Sequence, residues 1–124
     1  MPTPDPHDLL AILQEHYKPR EEGWLWCALL RDGEEGGVLL EIARDGTDLR
    51  QLVPQVVQIV GECGVERCLF ALCRGEGRPT EADREVWRKL RHEMADGLLD
   101  LVVFNDQRLW SMRREDADAA AAAG

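Results

Sequence analysis

The sequence is short of the side chains from which hydrolytic sites are most often built. Its 124 residues include one serine, Ser111, and three histidines, His7, His16 and His92. No histidine is placed near Ser111 by sequence, which sets serine catalysis aside. No two histidines stand at i and i+4, so the helical metal-binding pair is missing. The four cysteines, Cys27, Cys63, Cys68 and Cys73, form no C-x2-C pair and have no adjacent histidine, which disfavours a structural zinc site. Cys27, Cys68 and Cys73 lie in or at the ends of apolar runs and read as buried reduced thiols. Nothing in the spacing ties a cysteine to His92.

Long apolar runs are also missing. The longest, such as 98–104 with Asp100 inside, fall far short of the roughly 20 residues a helix needs to span a bilayer. No N-terminal segment joins a basic start, an apolar core and a small-residue cleavage site. The expectation is a cytoplasmic chain with no membrane partner, in a compartment where disulfides are rare. Positive charge is scarce: 15 basic residues stand against 24 acidic ones, a net charge of -9. A field of that sign repels phosphate backbones and argues against nucleic acid as the partner. The dense basic positions, Arg84, Arg88, Lys89, Arg91, Arg113 and Arg114, are interleaved with Asp83, Glu85, Glu93 and Glu115 and read as a solvated mixed-charge face.

What is present suits one globular domain with a real core, since 44% of residues are hydrophobic. After a proline-containing lead-in over 1–6, Leu9, Leu10, Ile12, Leu13 and Tyr17 recur at helical spacing until Pro19. The run 24–30 is apolar throughout, like a strand covered on both faces, and the Asp-Gly and Gly-Gly steps in 31–37 turn it back into a second strand over 38–43. Leu52, Val53, Val56, Val57 and Val60 mark a helix closed by Gly61 and Gly64. The pattern runs from about Leu49 to Cys63, but Pro54 belongs in a first turn, which moves the expected start to Gln51 or Leu52. A buried strand over 68–73 leads through a glycine-containing loop to Thr80, a good N-cap with Asp83 at the reciprocal capping-box position. Val86, Leu90 and Met94 give the helix that follows its inward face. Strands over 98–104 and 108–112 form a hairpin across Asn105-Asp106, and 115–124 reads as a disordered, alanine-rich tail. Helical crossovers between strands predict an α/β (α+β) domain over 7–114: a single mixed β-sheet flanked by about three helices.

Several motifs occur in an order that resembles the RadC-like branch of the JAB/MPN (JAMM) metalloprotease family. The strand Leu69 to Leu72 is followed by Pro79-Thr80, a polar helix 82–90, Leu98-Leu99-Asp100 opening a strand, and Leu109 to Arg113 closing a hairpin. Upstream, Glu21-Glu22-Gly23-Trp24 and Gly46-Thr47 before Val53-Pro54 match in the same order, so the resemblance covers residues 8 to 114. It implies the layered, cytidine-deaminase-like sheet of that family and a setting in DNA repair or genome maintenance.

The resemblance breaks at the chemistry. In the family two histidines and an aspartate hold zinc, and an upstream glutamate activates the bound water. Anchored on Pro79-Thr80, the histidine positions fall on Leu72 and Arg74, with Cys73 between them and Gly75 in place of the following proline. The serine position is Ala82 and the aspartate position is Glu85, while Glu21 or Glu22 stands near the upstream glutamate. Leucine cannot ligate a metal and arginine is donor-only and always charged, so the resemblance here implies no zinc and no other cofactor. Arg74 is expected to replace the metal's charge by pairing with Glu85, Glu21 or Glu22.

Two binding features stand beside this. Arg74, Gly75, Gly77, Arg78 and Thr80 precede a helix N-terminus and read first as a plain loop, with an anion site as the alternative. Trp24, Trp26 and Trp110 are candidate interaction residues if exposed, and core residues otherwise. The expected function is a catalytically inactive module that binds a protein partner or itself. The alternative is a hydrolase of altered chemistry using Glu85, Cys73 and Arg74 in the old cleft.

Overall fold

The run 67–73 forms a strand because six consecutive residues after Arg67, Cys68 through Cys73, offer apolar side chains to both of its faces, and all six are buried. In the computed structural model this strand, β3, lies in the middle of a five-stranded mixed sheet of order β2-β1-β3-β4-β5. The described residues are 14–15, 23–30, 38–43, 48–64 and 67–123. β1 (Leu25–Leu30) pairs antiparallel with both β2 (Val38–Ala43) and β3. β4 (Leu98–Phe104) runs parallel to β3, and β5 (Leu109–Ser111) returns antiparallel along β4. A parallel pair needs a crossover, which α2 (Glu81–Met94) provides. The expected first helix, the 31–37 turn and Gly46-Thr47 lie outside the described residues, apart from Gln14 and Glu15, which are helical.

Alternation along the strands divides the core in two. Cys27 and Leu29 of β1, Phe70 and Leu72 of β3 and Leu101 and Val103 of β4 face one side. There they meet Val53, Val56 and Val60 of α1 (Leu49–Glu62) and Val86, Trp87 and Leu90 of α2. Ala28, Leu69, Ala71, Cys73, Val102 and Phe104 make a second cluster on the opposite face, joined by Trp26 and Leu99. Among the described residues no helix contributes to that second cluster. Both crossover helices therefore share one face of the sheet and lie against each other, which leaves a groove between them.

Three expectations about element ends need correction. α1 begins at Leu49, two or three residues before Gln51 or Leu52, and Pro54 sits in its second turn. The Asp48 side chain caps the helix at the Arg50 N–H, and Leu49 is already buried. Those gains outweigh the one intrahelical bond to the Arg50 carbonyl that Pro54 cannot make. β5 ends at Ser111, and Met112 opens a helix instead of ending the strand.

The region 115–124, expected as a disordered tail, belongs through Ala123 to that helix, α3 (Met112–Ala123). Alanine has the highest helix propensity, and the N-terminus is well capped. Ser111 Oγ accepts from the Arg114 N–H at 3.1 Å, and buried Asp100 accepts from the Arg113 N–H at 3.0 Å and from Ser111 Oγ at 2.5 Å. Beyond the cap, Glu115 pairs with Arg84 at 3.0 Å, while Asp116 accepts from Trp87 Nε1 at 2.6 Å and from Arg91 at 2.7 Å. The Arg113 side chain bonds the carbonyls of Leu98 and Leu99. Asp100, Ser111 and Arg113, separate motifs in the sequence, thus make one hydrogen-bonded joint between β4 and α3.

Candidate functional site

The loop 74–80 leaves the carboxyl end of β3 and delivers the chain to the N-terminus of α2. Its shape is set by the neighbouring hairpin. Asn105, buried at the end of β4, accepts from the Gln107 and Arg108 N–H groups at 2.8 and 2.7 Å and donates to the Gly75 carbonyl at 2.9 Å. Gly77 has φ +67°, and a Cβ there would lie 2.9 Å from Arg108 Cβ and 3.1 Å from Asn105 Cγ, so the loop meets the hairpin at a point with no room for a side chain. One amide side chain therefore closes the β4–β5 turn and pins the loop. Asn105→Ala is expected to lower stability by about 2 kcal/mol, because three hydrogen bonds go with it. Protease nicking between 74 and 80 in the variant, absent from the parent, would check that the loop is what loosens.

Thr80 caps α2, its Oγ1 accepting from the Asp83 N–H at 3.2 Å while Asp83 Oδ2 accepts from the Thr80 N–H at 2.9 Å. The Asp83 carboxylate, 1% exposed, has a further partner: Arg74 donates Nε to Oδ2 at 3.0 Å and Nη2 to Oδ1 at 2.7 Å. This is a two-pronged guanidinium–carboxylate pair set into a helix N-terminus. The expected pairing of Arg74 with Glu85 is corrected by it. Glu85 stands further along α2 and reaches across to Arg50 of α1, with Nη1 to Oε2 at 3.3 Å and both side chains about two-fifths exposed. Asp83 wins because it occupies the first turn, beside the loop from which Arg74 emerges, and is sealed from water. Glu21 and Glu22 lie outside the described residues.

The remaining positions divide the same way. Leu72 is wholly buried in the helix-side core, opposite Leu25 and Val103 in the sheet register. Cys73 is buried in the second cluster, and Ala82 is half-buried. Arg74, Gly75, Gly77, Arg78 and Thr80 share this loop, and two of its donors, the Thr80 N–H and the Arg74 fork, converge on Asp83. An external anion would have to displace that carboxylate to reach those two. Gly75, Arg78 and Thr80 are exposed and Gly77 is buried.

Zinc does not fit the residues that the resemblance put forward as ligand positions. Leu72 is an alkyl side chain in the core, Arg74 is a guanidinium bound to an internal carboxylate, and Glu85 is bound to Arg50 on another helix. Arg50 holds Asp48 as well, and that hydrogen bond is the main reason the Asp48 carboxyl lies below the usual carboxylate range. Away from the loop, the Cys27 thiol is pushed up by its hydrogen bond to Cys68 first and by burial second. It therefore stays protonated, as a core thiol does.

The tryptophans do not make one patch. Trp24 and Trp26 are half-buried with ring centroids 6.2 Å apart and planes tilted by 45°. Trp26 packs on the second cluster, whereas half-buried Trp110 packs on the helix-side core. The mixed-charge reading of α2 describes what is found: Arg84 pairs with Glu81 and Glu115, Arg88 with Glu81, and Arg91 with Asp116. Sequence reasoning missed Asn105 and the second role of Asp83. The available signal was an acid at the third helical position nine residues after an arginine that opens the loop.

The fold is thus a mixed α/β sheet with two crossover helices on one face, and the site is a loop closed by an internal ion pair. No family model matches this chain, and no curated protein matches it at a significant level. Among the described residues no helix is long and apolar enough to cross a membrane.

Proposed function

We propose that the chain is a catalytically inactive, RadC-like JAB/MPN domain that works by binding another protein or a second copy of itself. The observation that supports this reading is the Arg74–Asp83 pair. At the position where the family places a metal ligand there is a fixed positive charge, and its counter-charge is the residue that caps α2. A guanidinium held this way supplies no nucleophile and cannot lower the pKa of a bound water as a metal does. Genome maintenance is the setting that the resemblance points to, and the net charge of -9 favours a protein over nucleic acid as the ligand.

The altered-chemistry hydrolase has less in its favour. Its thiol, Cys73, is 1% exposed, and its carboxylate, Glu85, is held by Arg50. The test is elemental analysis of natively purified protein, together with its melting temperature with and without a chelator. The expected result is no stoichiometric transition metal and an unchanged melting temperature. A bound metal whose removal lowers the melting temperature, or peptidase turnover by the pure protein, would overturn the proposal.

A further inference from the structure

We draw no further inference here: the strongest candidate, the apolar second face of the sheet around Leu69, Ala71, Cys73, Val102 and Phe104, meets no described helix, and nothing in the structure shows what covers it.

Discussion

Replacing Asp83 with alanine is expected to lower the stability of the domain by about 3 kcal/mol, one of the two largest effects predicted for a single substitution here. Two losses add. The Thr80 N–H loses its acceptor and α2 half of its capping box, which is worth about 1 kcal/mol. The Arg74 guanidinium loses both bonds to a carboxylate that is 1% exposed, while its own side chain is 24% exposed. That residual exposure lets water recover part of the charge, so the second loss should fall near 2 kcal/mol, below the cost of a fully buried orphan. Urea unfolding of the parent and of Asp83→Ala would measure it, and the melting temperature should drop by roughly 10 °C. Asp83→Asn should cost about half as much, since an amide oxygen still accepts from the Thr80 N–H but carries no charge. A cycle with Arg74→Ala isolates the pair. If the double variant is no more stable than the sum of the single losses predicts, Arg74 and Asp83 are uncoupled, and the electrostatic substitute for a metal falls with them.

Much of this site was legible as local structure and little of it as a constellation. Thr80 and Asp83 announced a capped helix, because a cap is decided within four residues. Asp83 was overlooked and Glu85 put forward as a partner of Arg74 because the resemblance directed attention to Glu85, and a one-dimensional reading assigned Asp83 a single role. A buried carboxylate accepts several donors at once, so a capping acid near a loop cation should be expected to serve both. Asn105 read as a turn residue, which it is, but its bond to the Gly75 carbonyl joins segments 30 residues apart and leaves no local trace. The same holds for α3. The alanine run looked like a tail because its stripe is weak, and what fixes the helix is long-range: Asp100 at its cap, and Trp87, Arg84 and Arg91 along its first turns. The sheet and the two crossover helices were the clearest part, since period-two and 3.6-residue patterns state which faces are covered.

Leu72→His carries the other large expected effect, and it tests whether position 72 belongs to the core or faces the loop 74–80. Leu72 is 0% exposed and lies on the helix-side face of β3, between Leu25 and Val103 in register. An imidazole there removes apolar contacts and brings two ring nitrogens into a region with no donor or acceptor prepared for them. The expected cost is about 4 kcal/mol at neutral pH. The sign of its pH dependence follows from burial. Desolvation depresses the folded-state pKa of such a histidine below its unfolded value of about 6.5, so the unfolded chain binds the proton more readily. The deficit should therefore widen as pH falls below that value and level off above it, which urea midpoints at about pH 5.5 and pH 8 would check. A triple variant carrying the ligand set that the proposed family reading implies, Leu72→His with Arg74→His and Glu85→Asp, should gain no stability from zinc, because the first histidine is in the core and the second change takes the Arg74 fork from Asp83. If Leu72→His costs less than about 1 kcal/mol and the triple variant is stabilised by zinc, position 72 reaches the loop and the residues there can be arranged around a metal.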